Sequence, residues 1–201
     1  SDFHQPVNRT GENPNWQSGK PYYDDFFCIW DTYRVTHPLL TLLNERRQID
    51  IMNGLLDIYE NEGYMPDAWS GNSFAMTQGG SNADVLVADA YAKKLKGIDY
   101  ELALKSMIKN ATVPPGDIER KAGRGGLPDY NTLGYISTGY ERAGSRTMEY
   151  AFNDFCIAQV AKGLGKMETA EKYYKQAGNW KNIWCSDVEA FGAKGFVVPR
   201  D

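Results

Sequence analysis

Residues 44–63 read NERRQIDIMNGLLDIYENEG, and this stretch decides the fold class. Asn44 is a suitable N-cap and Gly63 a suitable C-terminal stop. Between them the apolar side chains are spaced by three, three, one and three residues, which is the stripe of an amphipathic helix. The members of this stripe are Ile49, Met52, Leu55, Leu56 and Tyr59. The stretch therefore predicts a helix that needs a second element against its apolar face.

The helical periodicity recurs further along the chain. More helices are predicted from Ser81 or Asn82 to Gly97, from Asp99 to just before Pro114, from Ser145 to Leu164 and from Glu168 to Ala177. Residues 113–139 are rich in glycine and proline and are predicted to form a long loop, and residues 179–201 are predicted to be irregular. No strand alternation is evident. Helices joined in pairs by loops predict an all-α protein built of antiparallel helical hairpins.

The composition excludes several classes of function. Of 201 residues, 42% are hydrophobic and 24% are charged, so we expect a globular fold and not a disordered chain. The net charge of −4 and the lack of a basic cluster argue against a nucleic-acid partner. No apolar run approaches the roughly 20 residues of a membrane helix. Residues 1–21 are rich in proline and glycine and are expected to be an irregular lead-in.

The cellular compartment is predicted only indirectly. The first residues are neither an initiator methionine nor a signal peptide, so we expect the chain to begin inside a longer reading frame or after processing. Cys28 and Cys156 are expected in the core, and with Cys185 they are too few for a disulfide framework or a zinc site. The glycosylation sequons at Asn8 and Asn110 permit secretion, which is the expected localisation.

Acidic side chains stand among aromatic ones in residues 22–34. A carboxylate beside bulky rings loses solvation unless a charged or hydroxyl-bearing group engages it. This composition suits a sugar site, in which rings stack on C–H faces and an aspartate accepts hydrogen bonds from hydroxyls. The alternative is that Asp31 caps the next helix and pairs with Arg34.

A second cluster, residues 78–84, is a glycine turn that leads into a helix start. Under the functional interpretation, its backbone and side-chain donors face a ligand at the helix N-terminus. Under the alternative, Ser81 or Asn82 simply caps the helix and Asp84 complements the helix dipole.

The third cluster lies in residues 145–155 and contains Glu149 and Asp154. The two acids are five residues apart, so on one helix they point about 140° apart and cannot serve one bound atom. A single acid that works with a partner from elsewhere is the arrangement we expect. Glu149 beside aromatic rings suits a general acid, and a solvated helix glutamate is the alternative. No histidine or cysteine constellation and no phosphate-binding glycine loop accompanies these clusters.

Taken in order, the three clusters resemble glycoside hydrolase family 92, a family of calcium-dependent exo-acting α-mannosidases. The motifs are Ile29-Trp30-Asp31-Thr32-Tyr33-Arg34 with His37-Pro38, then Gly79 to Asp84 followed by Ala88-Asp89-Ala90-Tyr91, then Ser145 to Asp154. The resemblance implies an (α/α)6 toroid as catalytic domain with a mostly β domain before it. Residues 22–201 are then expected to be the N-terminal part of an incomplete toroid.

The resemblance also implies a chemistry and a set of residues. The family hydrolyses terminal α-mannosides with inversion, and we expect the substrate to be an α-linked mannose, with α-1,2 linkage, of N-glycans or mannans. Glu149 matches the general acid. Trp30 and Asp31 match residues that hold the terminal mannose, and Asn82 and Asp84 match a second wall near the site. A calcium ion is implied as cofactor, with its ligands mostly outside this chain.

One part of the family pattern is missing from residues 1–201. The general base of the family lies in a Gly-Asn-Asp-Asp-type motif further downstream, and an acidic calcium ligand lies there too. We therefore expect the isolated segment to be inactive and to be completed by the remainder of the catalytic domain or by another chain. The alternative function is a non-catalytic helical carbohydrate-binding or scaffold module, which predicts Glu149 in solvent.

Overall fold

The computed structural model describes residues 16, 18–21, 28–70, 73–76 and 79–201. The described part is mostly helical and includes two short hairpins. The α-helices are α1 Ile29–Thr32, α2 Thr36–Leu43, α3 Glu45–Glu62, α4 Ala83–Ala92, α5 Tyr100–Thr112, α6 Leu127–Leu133, α7 Ala143–Gly163 and α8 Met167–Gln176. The strands are β1 Trp69–Ser70, β2 Ser73–Phe74, β3 Trp184–Ala190 and β4 Ala193–Val197, and 3-10 helices span Gly116–Ile118 and Ala177–Ile183.

Helix α3 confirms the sequence prediction at both ends. The Asn44 side chain accepts a hydrogen bond from the backbone N–H of Arg47, at 3.1 Å. Gly63 ends the helix in the left-handed conformation, with φ at 86°, and donates its N–H to the carbonyl of Tyr59. The helix in between buries its apolar stripe in the main core. Residues 1–21, the predicted lead-in, fall largely outside the described residues.

Helix α7 is the longest helix of the described residues, and several other helices pack on it. It contacts α4, α5 and α8, and its C-terminal half contributes small apolar side chains to the core, including Ala158 and Ala161. Helix α8 follows after a three-residue connection, so α7 and α8 form one of the predicted helical hairpins. Small side chains on α7 let its neighbours approach closely, and the tightest approach is that of Tyr91 to Gly163.

The end of α4 and the capping of its start differ from the prediction. Helix α4 ends at Ala92 and does not continue to Gly97, because Lys94 turns into the left-handed region with φ at 61° and the N–H of Leu95 bonds back to the carbonyl of Ala90. Asn82, one of the two predicted capping residues, is the N-cap of α4, but its side chain makes no capping hydrogen bond. At α5 the prediction is confirmed, because the Asp99 carboxylate accepts from the N–H of Leu102.

The predicted long loop and the predicted irregular tail both contain regular structure. Helix α6 lies within residues 113–139, with a proline in its first turn and Gly134 as its C-cap. Its seven residues are too few for a clear apolar period, and the surrounding glycines conceal it. In the tail, β3 and β4 pair antiparallel around a tight turn at Phe191 and Gly192. Most side chains of this hairpin are exposed, so no alternation marks it in the sequence.

Three further findings bear on localisation and on the cysteines. No helix in the described residues is long and apolar enough to cross a membrane. Cys28 and Cys156 are buried, as predicted. Asn110, in contrast, is fully buried in α5 and donates its amide to the carbonyl of Met65, so this sequon is not open to glycosylation in the folded chain. The Asn8 sequon lies outside the described residues.

Replacing Gly163 by alanine should destabilise the fold. A Cβ at this position would collide with the ring of Tyr91, so the tyrosine ring or α7 must move. Because Gly163 is exposed and Tyr91 is partly buried, we expect urea unfolding to show a loss of about 1 kcal/mol, at the low end for overpacked sites. Gly178→Ala is the matched control, because no atom lies within 4 Å of its added Cβ. Equal stability of both variants would contradict the close approach.

Candidate active site

A short helix places Trp30 at the mouth of the site. Cys28 precedes α1 in the left-handed conformation, with φ at 53°, and turns the chain into the helix. Ile29 is fully buried and donates its N–H to the carbonyl of Asp67, at 3.1 Å. Because its neighbour is anchored in the core, the half-buried Trp30 is held in one position on the surface.

Glu149 meets Trp30 across 119 positions of the chain. The indole N–H of Trp30 donates to Oε1 of Glu149 at 2.9 Å. A guanidinium nitrogen of Arg34 lies 3.5 Å from the same oxygen, and the Glu149 side chain is 15% exposed. The other oxygen, Oε2, is buried and has no hydrogen-bond partner within the described residues. Only one of the two carboxyl oxygens therefore has a hydrogen-bond partner among the described residues.

The Gly79–Gly80 turn closes over the same two side chains. A Cβ on Gly79 would lie 3.4 Å from Nε1 of Trp30 and 3.6 Å from Cγ of Glu149. A Cβ on Gly80 would lie 3.1 Å from Cβ of Glu149 and 2.9 Å from Oδ1 of Asn153. The second glycine is therefore required by close packing of the turn on α7.

Asn153 ties the turn to α7. It is fully buried one helical turn after Glu149 and so shares its helix face. Its Oδ1 accepts from the backbone N–H of Ser81 at 3.1 Å and lies 3.4 Å from the Ser81 hydroxyl. Asn82, next in the chain, is fully buried and donates its side-chain amide to Asp67 at 2.9 Å. The turn is held on both sides by buried amides.

A buried charge cluster lies beneath the turn. Arg124 is 1% exposed and lies between two carboxylates, with NH1 at 2.6 Å from Asp154 and NH2 at 3.4 Å from Asp84. Its Nε donates to the Ser81 hydroxyl at 3.0 Å, and that hydroxyl donates to Asp84 at 2.7 Å. Tyr130 of α6 donates to the second oxygen of Asp154 at 2.8 Å. Ser81 therefore links the cluster to the glycine turn.

Burial shifts the ionisation of this cluster. Loss of solvation raises the pKa of Asp84 to about 7, although Arg124 and the Ser81 hydrogen bond act in the opposite direction. Burial also raises the pKa of Asp154 above its ordinary value, again against Arg124. For Arg124 itself burial disfavours the charge, but Asp154 and Asp84 outweigh that effect, so its pKa is raised. One buried cation thus stabilises two carboxyl groups of which one is readily protonated.

The structure brings together some of the predicted site residues and not others. Trp30 and Glu149 meet directly. The scaffold alternative predicts Glu149 in solvent, but its side chain is largely buried. Asp31 is exposed on α1 beside Trp30. The alternative role of Asp31 as a helix cap is not found, because Val35 is the N-cap of α2 and no side chain caps it. The same alternative pairs Arg34 with Asp31, but the ion pair that Arg34 makes is with Glu149.

The remaining predicted residues are in the interior. Asn82 and Asp84 are both 0% exposed, and one oxygen of each is buried without a hydrogen-bond partner within the described residues. Their contact with a sugar stays a prediction. Asp154 points into the Arg124 cluster, so the expected divergence from Glu149 is confirmed. Sequence reasoning did not identify Asn153, although its position four residues after Glu149 is the signal that could have done so.

The described residues do not fit a calcium site on their own. No group of three or more histidine, cysteine, aspartate or glutamate side chains among them is placed to hold a metal ion. Calcium takes six to eight oxygen ligands, often with several carboxylates. The calcium implied by the resemblance thus stays a prediction whose ligands are not found in the described ranges.

Comparisons with known proteins identify the family. The model of the glycosyl hydrolase family 92 catalytic domain matches residues 2–201. This chain belongs to glycosyl hydrolase family 92. A secreted glycosidase of Arthroderma benhamiae, itself uncharacterised, is 38% identical over 211 residues, which cover 97% of this chain and 24% of the relative. The family supports the predicted (α/α)6-type helical fold.

Solved structures of family 92 enzymes are similar to the described fold. The inverting mannosidase BT2199 of Bacteroides thetaiotaomicron aligns with a TM-score of 0.84 and 31% identity over 93% of this chain and 25% of the enzyme. The α-mannosidase BT3965 of the same organism, in complex with mannoimidazole, aligns with a TM-score of 0.79 and 29% identity over 92% of this chain and 23% of the enzyme. The chain therefore spans about a quarter of the length of these relatives.

Replacing Asp84 by asparagine should flatten the pH dependence of stability. The folded chain holds a proton on Asp84 up to about pH 7, whereas the ordinary pKa is 3.8, so the stability that this proton contributes is fully present below that pKa and is lost as the pH rises to about 7. This loss amounts to at most about 1.4 kcal/mol per pH unit. We expect denaturant unfolding to show that the free energy of unfolding of Asp84→Asn falls less with rising pH than that of the wild type. Asp187→Asn, on the exposed hairpin, should retain the wild-type slope, and an equal slope in both variants would contradict the assignment.

Proposed function

We propose that this chain forms part of the catalytic domain of an inverting exo-α-mannosidase with Glu149 as its general acid. The substrate we propose is terminal α-linked mannose, α-1,2 in linkage, of N-glycans or mannans. The observation that carries the proposal is the contact of Glu149 with Trp30 under the Gly79–Gly80 turn, which joins all three sequence motifs in one place. The mannosidases of similar structure support the same substrate class.

The proposed chemistry requires two separated carboxyl groups. In an inverting glycosidase one acid protonates the leaving oxygen, while a carboxylate on the opposite face activates a water molecule. Glu149 supplies the acid. Asp154 is on the same helix but is bound to Arg124 and Tyr130, so it is not available as the base. We propose that the base belongs to another segment of the enzyme, since the relatives are about four times as long.

The sugar is proposed to lie against α1. The ring of Trp30 offers an apolar face for the C–H groups of a pyranose, and the adjacent exposed carboxylate of Asp31 can accept hydrogen bonds from its hydroxyls. Asn82 and Asp84 remain proposed members of the site. Their full burial favours an indirect role, in which they fix the turn that faces the sugar.

An apolar groove on the surface supports the proposal that a further segment of polypeptide completes the fold. A groove of about 640 Å³ lies between α4 and α7, and the stacked rings of Phe152 and Phe155 are about two-fifths exposed at its edge. Isolated domains rarely leave such apolar surface in water. We propose that the remainder of the catalytic domain, or another chain, covers this groove. Calcium and secretion belong to the same proposal, and secretion is supported by the name of the Arthroderma relative.

Residues 1–201 on their own are expected not to release mannose from an α-1,2-linked mannobiose. The physical reason is that the base is proposed to belong to another segment of the enzyme, and without it the attacking water is not activated. Mannose release measured by a coupled assay checks this expectation. The protein with its full reading frame is the positive control, and turnover by the isolated segment at a rate typical of enzymes would refute it.

In the full-length enzyme, Glu149→Gln should lower kcat for mannobiose by about 10²- to 10⁴-fold while the disaccharide still binds. Glutamine keeps the shape of the side chain but has no proton to give. Steady-state kinetics and calorimetric binding of mannobiose measure the two effects separately. Glu168→Gln, an exposed substitution in α8, is the matched control. An unaltered rate in Glu149→Gln would remove Glu149 from the mechanism.

A further inference from the structure

The two carboxyl oxygens of Glu149 have different surroundings. Oε1 accepts the indole N–H of Trp30 at 2.9 Å and has a guanidinium nitrogen of Arg34 at 3.5 Å. Oε2 is buried and has no hydrogen-bond partner in the described part of the chain. A buried oxygen without a partner costs free energy, and such atoms are found where a ligand or a reacting group completes the contact.

Arg34 is itself held in place by two rings. Its guanidinium carbon lies 5.2 Å from the centroid of Trp30 and 4.5 Å from that of Tyr33. Burial and then the nearby charge of Glu149 raise the pKa of Tyr33, so the phenol stays neutral and adds no negative charge. The guanidinium is about half exposed, which weakens the ion pair, but the stacked rings restrict the orientation of Arg34 towards Oε1.

We propose that Trp30 and Arg34 are positioning residues that fix Oε1 of Glu149, so that Oε2 is the atom that gives its proton to the leaving oxygen. This inference rests on the proposed function and assigns Trp30 a task beyond contact with sugar. The hydrogen bond from Trp30 and the nearby charge of Arg34 determine the rotation of the carboxyl plane. The protonated oxygen is then Oε2, because a hydroxyl at Oε1 would face an indole N–H and a guanidinium and no acceptor.

The proposed step transfers two protons and exchanges one bond at the anomeric carbon. The proton on Oε2 passes to the glycosidic oxygen, the bond between that oxygen and the anomeric carbon breaks with its electron pair on oxygen, and Glu149 is left as a carboxylate. Water forms the new bond to the anomeric carbon and loses a proton to the base carboxylate. Negative charge therefore develops on Glu149 during the step, and the Trp30 hydrogen bond and the Arg34 charge beside Oε1 stabilise it more in the transition state than before.

Substrates with different leaving groups test the inference in the full-length enzyme. Mannobiose needs a proton on its leaving oxygen, whereas 2,4-dinitrophenyl α-mannoside releases a stable anion and does not. Trp30→Phe keeps an aromatic face but removes the N–H donor. We expect about a tenfold or greater fall in kcat for mannobiose, little change in KM, and at most about a twofold change with the dinitrophenyl substrate.

Arg34 variants separate charge from position. Arg34→Ala should also lower kcat for mannobiose selectively, and Arg34→Lys should recover part of the loss because it restores a donor. Trp184→Phe and Lys166→Ala are matched controls, since Trp184 lies on the exposed hairpin and Lys166 pairs with Glu101 beyond the far end of α7. Both controls should retain wild-type kinetics with both substrates.

A double variant decides whether Trp30 acts through Glu149. If it does, adding Trp30→Phe to Glu149→Gln gives no further loss with mannobiose. A further loss of tenfold, or an equal loss with both substrates in the single variants, overturns the inference. Circular dichroism of each variant excludes misfolding, and Arg34→Lys serves if Trp30→Phe does not fold. Failure of the proposed function gives a different result, because Glu149→Gln then has no selective effect with mannobiose.

Discussion

The burial of the Arg124 guanidinium away from water is the constraint on which the rest of the described structure depends. Arg124 can be buried only if acceptors surround it, and these come from separate elements: Asp84 of α4, Asp154 of α7 and the Ser81 hydroxyl before α4. Satisfying one cation thus fixes the distance between α4 and α7. Ser81 also donates its N–H to Asn153. The glycine turn is held against α7 by the same set of contacts.

The position of Glu149 follows from that arrangement. Because Gly80 carries no side chain, the turn packs within reach of Glu149 Cβ and leaves its carboxyl group directed towards Trp30. The site therefore combines a rigid floor, built from buried amides and charges, with a more exposed rim on α1. This division suits a glycosidase, in which the acid must be held in one geometry while the sugar enters and leaves. It also explains why Asn82 and Asp84 are fully buried although their motif adjoins the site.

Much of the secondary structure followed from local patterns. The apolar stripe of α3 and its caps at Asn44 and Gly63 are local features, and the structure confirms them. The helices around Asp99 and Glu149 were predicted for the same reason. Helix α6 and the exposed β3–β4 hairpin were missed because seven residues give a weak period and a hairpin exposed on both faces shows no alternation. The early end of α4 depends on a left-handed Lys94, which no composition rule favours.

The sequence by itself determined the helical class, the family and the candidate acid, because each depends on residue order within short motifs. Only the tertiary structure decided that Arg34 faces Glu149 and not Asp31, that Asp154 faces Arg124, and that one oxygen of Glu149 is left without a partner. The physical reason is that a charged side chain bonds to whatever the packing of helices brings within about 3–4 Å. That distance joins residues more than a hundred positions apart, and sequence spacing carries no information about it.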